Sequence, residues 1–164
     1  MGVLILTGPS GAGKNTVADR LVQQRSRCAL IDVDLLRLMI VQPHAAPWEG
    51  PEGRSQHRLG AQNACALAIN FVQIGLDVVI LDILVAETAR IYRQELDIFN
   101  PRIVLLLPTW AEIERRNQAR PRLTADEVRL LYDWQQAFTQ YDERIDNTDL
   151  SPDELAERLA KGLI

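Results

Sequence analysis

The chain reads as an α/β protein of three layers, with helices on both faces of a mostly parallel sheet. Three observations predict this. The short continuous apolar runs "VLILT", "DVVILD" and "RIVLLL" have the length and character of strands buried on both faces. Helical patterns separate these runs, so successive strands are joined by crossovers and lie parallel. The 164 residues, 47% of them hydrophobic, supply one core, and no repeat, low-complexity tract or linker divides them, so residues 1–164 form a single domain.

The elements follow in order. Val3–Thr7 is a strand that runs into glycine, and Lys14–Gln24 places Val17, Ala18, Leu21 and Val22 on one helical face. Ala29–Ile31 is a short strand ending in Asp32-Val33-Asp34, with a helix over Leu35–Val41. Gln42–Gly53, with three prolines, two glycines and Trp48, reads as an ordered loop. A long helix spans Ser55–Ile74 and is capped by Gly75. Asp77–Asp82 is the third strand, Val85–Phe99 a helix and Arg102–Leu107 the fourth strand. Capping boxes at Thr109/Glu112, Thr124/Glu127 and Ser151/Glu154 open three further helices, the first interrupted at Pro121 and the second running to about Gln140. Arg144–Asp146 is a short edge strand.

Composition narrows the function classes. A net charge of −4 creates no field for long nucleic acid. No apolar run approaches the ~18 residues that cross a bilayer, so the expectation is a soluble, cytoplasmic protein without a membrane partner. Cys28 and Cys65 fall inside apolar patterns and read as reduced packing residues. His44 and His57 lack metal-ligand spacing and read as surface or structural groups.

The stretch "GPSGAGKNT" carries the chemistry. Gly8-Pro-Ser-Gly-Ala-Gly-Lys14 matches G-x-x-x-x-G-K between a strand and a helix, the context that motif requires. Glycines at 8, 11 and 13 let the backbone curl so that N–H groups around Ser10 and Ala12 face one anion, and the helix adds the positive end of its dipole. Lys14 reaches the β- and γ-phosphates as a mobile charge; Lys161 is the other lysine of the chain. Asn15 stands where a Ser or Thr hydroxyl usually ligates Mg²⁺, and its amide is longer and carries an NH₂ that cannot ligate. Thr16 is turned ~100° away on the helix and suits the α-phosphate. The expectation is nucleotide binding that survives and metal binding that is weaker than usual.

Parallel strands gather ligands at their carboxyl ends, and three aspartates land there. Asp82 closes "VVILD", a Walker-B-like pattern suited to magnesium. Asp32 and Asp34, two apart in extended backbone, face the same side; Asp34 is the candidate base for an attacking hydroxyl, or alternatively a helix N-cap, with Asp32 near the metal. Arg37 could clamp an anionic group on an acceptor, and Trp48 could line its pocket. Arg115, Arg116, Arg120 and Arg122 crowd the region around Pro121, where guanidinium groups match the charge of a phosphoryl group in transfer and a segment could close over it. Arg116 and Arg120 share a helical face and are the pair expected to act.

With "ILTGPSGAGK", "IDVDLLR", "APWEGPE", "GLDVVILDIL", "LLLPTWAEIERRNQAR" and "IDNTDLSPDELAE", the chain resembles small P-loop kinases and ATPases of the chloramphenicol-phosphotransferase-like and shikimate/gluconate-kinase-like type. That resemblance implies a P-loop NTPase fold with a five-stranded parallel sheet of order 2-3-1-4-5 and a short arginine-rich lid at 116–122. It also implies ATP and Mg²⁺ as cofactors, an acceptor side built from 42–53 and the following helix, and the "IDNT" turn near the adenine. The reading is transfer of the ATP γ-phosphate to a hydroxyl of a small molecule, a metabolite or antibiotic. Two rivals remain: an ATP-binding regulatory or partner-binding module with weak catalysis, favoured by Asn15, and a nucleoside or polynucleotide-end kinase.

Overall fold

Strand β1 (Val3–Thr7) is uniformly apolar because it is central, with every residue buried. The computed structural model describes residues 2–119 and 122–161. Around β1 lie α1 (Lys14–Gln23), β2 (Cys28–Asp32), α2 (Val33–Arg37), α3 (Gly50–Gln73), β3 (Asp77–Leu81), α4 (Ala86–Glu95), β4 (Arg102–Leu106), α5 (Trp110–Ala119), α6 (Ala125–Ala137), β5 (Glu143–Ile145) and α7 (Pro152–Ala160). The five strands are parallel in the order β2-β3-β1-β4-β5, as the resemblance implied. It is the sheet of a P-loop NTPase. Val79, Ile80, Val104 and Leu105 flank β1 and are fully buried, which is why these strands read as unbroken apolar runs.

Two boundaries depart from the sequence reading in ways that matter. The helix α3 starts at Gly50 rather than Ser55, with Pro51 in its first turn, where a missing N–H costs nothing. The loop therefore ends at Glu49. Helix α2 begins at Val33 and ends at Arg37, two residues earlier than expected and well short of Val41. Asp32 is its N-cap, accepting the Asp34 N–H on its side chain at 3.0 Å. The capping role weighed for Asp34 thus belongs to Asp32. Asp34 itself is helical, so the extended spacing assumed for the two carboxylates does not hold.

The Thr124 and Ser151 boxes form as read, each side chain accepting its third-residue N–H at 3.3 Å. The Thr109 box does not. Thr109 donates its N–H to Thr148 Oγ1 at 2.8 Å, and Glu112 turns to Arg115 and Arg116 instead. Two strong charged donors outcompete one backbone N–H for the same carboxylate. Pro121, read as a helix interruption, lies outside the described residues. No described helix is long and apolar enough to cross a membrane.

Candidate functional site

Because all strands are parallel, the loops leaving β1, β2 and β3 emerge at one edge of the sheet and enclose a cavity of about 760 Å³. Its floor is the loop from Gly8 to Gly13. Gly8 must be glycine: a Cβ there would lie 2.3 Å from the Leu106 carbonyl oxygen, on the neighbouring strand. Gly13 is the N-cap of α1 with φ 91°, a left-handed backbone, and no side chain caps the helix. The first-turn N–H groups of Lys14, Asn15 and Thr16 therefore have no partner within the helix and open toward the cavity. This cradle suits a terminal phosphate group of a nucleotide.

Lys14 lies in that cradle, donating from Nζ to the carbonyls of Gly8 (2.6 Å) and Pro9 (3.1 Å). Burial lowers its pKa from 10.5 to about 8, against the raising influence of Asp34, Asp82 and Asp32. Asn15 donates its amide N–H to Asp32 Oδ2 at 3.1 Å, so the side chain that replaces a hydroxyl spends its NH₂ on the nearest acid. Thr16 and Ser10 line the same cavity.

Of the acids, Asp82 is the most confined, 6% exposed. Its Oδ1 accepts from the Ile83 N–H (2.8 Å) and its Oδ2 from the Tyr92 hydroxyl (2.9 Å), and His57 Nε2 lies 3.6 Å from Oδ1. Burial, and then the Asp82 charge, push the Tyr92 phenol well above its usual value, so it stays a donor. Asp34 projects into the cavity with its side chain 71% exposed, paired to Arg37 Nη1 at 3.0 Å. Desolvation within the cleft raises its carboxyl pKa from 3.8, opposed by Arg37 and Lys14. Arg37, read as free for an acceptor's anion, is 9% exposed and engaged with Asp34, and its Nε is buried without a partner among the described residues. Among the described residues no three His, Cys, Asp or Glu side chains are gathered to hold a metal ion. The donor set fits a cation carried in on a nucleotide's phosphates better than one held by the protein alone.

An AAA domain family model matches residues 3–141. The chain belongs to the AAA domain family. No curated protein matches this AAA domain in sequence. Several solved structures share its fold. The Deinococcus radiodurans tunicamycin resistance protein aligns at 17% identity with a TM-score of 0.69, covering 99% of this chain and 95% of that one. An Acinetobacter baumannii shikimate kinase in complex with shikimate gives 18%, 0.64, 98% and 92% for the same quantities. The Mycobacterium tuberculosis APS kinase in complex with AMPPNP and APS gives 20%, 0.73, 98% and 96%.

In this AAA domain the arginine side is more engaged than its sequence suggests. Arg116 donates to Glu112 (2.6 Å), to the Gly11 carbonyl (3.1 Å) and to the Asn147 carbonyl (3.5 Å). Hydrogen bonds from Arg115 and then Arg116 hold the Glu112 carboxyl down to about 2. Arg120 lies outside the described residues, whereas Arg122 lines the cavity. On the opposite wall Leu38, His44, Pro47 and half-buried Trp48 line the same space.

Sequence reasoning missed three members. Tyr92 anchors Asp82 from ten residues downstream with no motif to mark it. Gln135, fully buried, accepts from Thr7 Oγ1 (2.7 Å) and donates to the Leu84 carbonyl (2.7 Å), tying α6 to the ends of β1 and β3. Asn147 donates from Nδ2 to the Ala12 carbonyl at 2.9 Å; a polar side chain directly after a strand, in "IDNT", was the available signal.

Proposed function

We propose that the protein transfers the γ-phosphate of ATP to a hydroxyl group of a small molecule. One observation carries this: a phosphate cradle open at a helix N-terminus and the exposed carboxylate of Asp34, held by Arg37 through Oδ1, face the same cavity. The family and the kinase-type fold support it. The nucleotide's phosphates would lie on the N–H groups between Ser10 and Thr16, with the base against Leu150 and Pro152, which line the far end of the cavity. The acceptor would rest on Leu38, Pro47 and Trp48. Its hydroxyl oxygen bonds to the γ-phosphorus as the bond from phosphorus to the β–γ bridging oxygen breaks; ADP leaves, and the hydroxyl proton passes to Asp34. Arg37 holds Asp34 in place, and Lys14, with Arg116 and Arg120, would balance charge on the transferred group.

Magnesium, when bound with the nucleotide, would neutralise phosphate charge, and Asn15, Asp32 and Asp82 would be the residues to hold it. Asn15 weakens that grip. An Asn15→Ser variant is expected to show a stronger enhancement of ATP binding by Mg²⁺ than the native chain, and equal enhancement in both would refute this.

Replacing Asp34 with Asn tests the central assignment. Transfer is expected to fall by ~10²–10⁴-fold, the contribution of a positioned general base, while ATP binding measured by titration stays close to that of the native chain. Equal loss of both would remove Asp34 from the chemistry. The hydrogen-bonded Asn15 also favours a second reading, an ATP-binding module without efficient turnover; tight ATP binding with no acceptor able to stimulate ADP release would select it.

A further inference from the structure

We infer that Asn147 is a positioning residue for the phosphate cradle, setting the direction of the Gly13 N–H from behind the loop. The inference rests on the nucleotide reading above. Asn147 follows β5, 3% exposed, and its Nδ2 donates to the Ala12 carbonyl at 2.9 Å. The Ala12–Gly13 peptide is a planar trans unit, so its C=O and N–H point in opposite directions. Drawing the Ala12 oxygen back toward Asn147 therefore aims the Gly13 N–H forward, toward the space where a phosphate would sit. One residue earlier Arg116 Nη1 donates to the Gly11 carbonyl at 3.1 Å, while the Ala12 N–H is given to the Pro9 carbonyl at 3.2 Å, so of these two peptides it is the Ala12–Gly13 unit that faces the phosphate space. Arg116, which itself lines the cavity, touches the Asn147 backbone oxygen at 3.5 Å, so the two side chains hold successive carbonyls of the loop.

Two observations separate this from ordinary packing. Asn147 Oδ1 is buried and, among the described residues, makes no hydrogen bond. A side chain kept only for internal structure would satisfy both ends of its amide; here one end is left unsatisfied and the other is spent on the loop. The turn that carries it is also preorganised without any ligand. Thr148 donates its N–H (3.0 Å) and hydroxyl (2.6 Å) to Asp146, and its Oγ1 accepts the Thr109 N–H, pinning the turn to the start of α5. A Cβ at Gly13 would stand in ordinary contact with Arg116 Nη1 (3.6 Å) and Asn147 Nδ2 (3.8 Å), which places both side chains beside this residue.

The test is titration of the ¹⁵N-labelled full chain with ADP, followed by proton–nitrogen correlation spectra. In the native protein the Gly13 amide proton is expected to move downfield as ADP is added, and the Asn147 side-chain amide protons to be protected from exchange before ADP arrives. In Asn147→Ala the Gly13 shift shrinks and the ADP Kd rises roughly tenfold, ~1.4 kcal/mol, with the rest of the spectrum retained; Asn147→Asp, which loses the donor and adds charge, binds more weakly still. Variants that are less stable yet keep the native Kd and Gly13 shift overturn the inference and leave Asn147 a structural residue. Unprotected Asn147 amide protons in the native chain overturn it even if neither variant folds. A native chain that binds no ADP overturns the nucleotide reading and this inference together; one that binds ADP while the variants match it overturns this inference alone.

Discussion

Lys14 has exchanged water for two carbonyl oxygens in the cradle, and its pKa of about 8 against an ordinary 10.5 records the exchange. Below about pH 8 the folded and unfolded chains both carry the proton, so the full penalty of burying the charge is present. Between 8 and 10.5 the unfolded chain binds more protons than the folded one, so stability rises with pH and the penalty is relieved. At neutral pH that penalty amounts to at most about 3 kcal/mol. Lys14→Met is therefore expected to raise the melting temperature of the nucleotide-free protein at pH 7 and to lose most ATP binding, with the stability advantage shrinking as pH approaches 10. A Met variant that is less stable than the native chain at pH 7 would contradict this. Stability given up at a binding site is a common accompaniment of function. At this same scale the cradle is legible in the sequence because glycine spacing, lysine and helix start are all local. Asn147 and Tyr92 are not, since each acts on a partner 135 or 10 residues away through a fold that must first exist.

Among the elements, the segment between α2 and α3 decides what meets Asp34. It is held from below by Gln56 on α3. Gln56 Oε1 accepts the Ala45 N–H (3.0 Å), and its Nε2 donates to the Pro43 carbonyl (2.5 Å) and Glu52 (2.7 Å). Removing these bonds leaves the buried Ala45 N–H unpaired, which costs about 1–3 kcal/mol. Gln56→Ala is expected to lower the melting temperature and weaken acceptor binding through displacement of Pro47 and Trp48, while leaving ADP affinity unchanged, since the hydrogen bonds of Gln56 run to Ala45, Pro43 and Glu52 and not to the cradle. Parallel loss of ADP affinity would show that the two halves of the cavity are not independent. The sequence reading stopped this loop at Gly53 because prolines and glycines mark turns. In the fold, Pro51 sits where a helix tolerates it best. The opposite error occurred at α2, where apolar residues to Val41 extended the expected helix; Leu38, Met39 and Val41 are in fact exposed at 61%, 76% and 81%. An apolar pattern there does not report burial.

For the molecule as a whole, the parallel sheet does the organising. It places the ends of β1, β2 and β3 on one edge, which brings a helix N-terminus and the aspartates at 32, 34 and 82 around one cavity although they are spread over 69 residues between Gly13 and Asp82. The layer arrangement and the parallel sheet are legible beforehand because alternating apolar runs and helical patterns permit few topologies, whereas the strand order is implied by the resemblance alone. The identity of the acceptor is not legible, because its wall is built from loop residues whose positions depend on contacts made by α3. The measurement that tests this account most directly is ADP release from ATP by the native chain across a panel of small hydroxyl compounds, with sugars, sugar acids, nucleosides and aryl alcohols as separate arms. The account predicts that at least one compound accelerates ADP release well above the rate without acceptor and emerges phosphorylated. Tight ATP binding with no acceleration by any arm would contradict it.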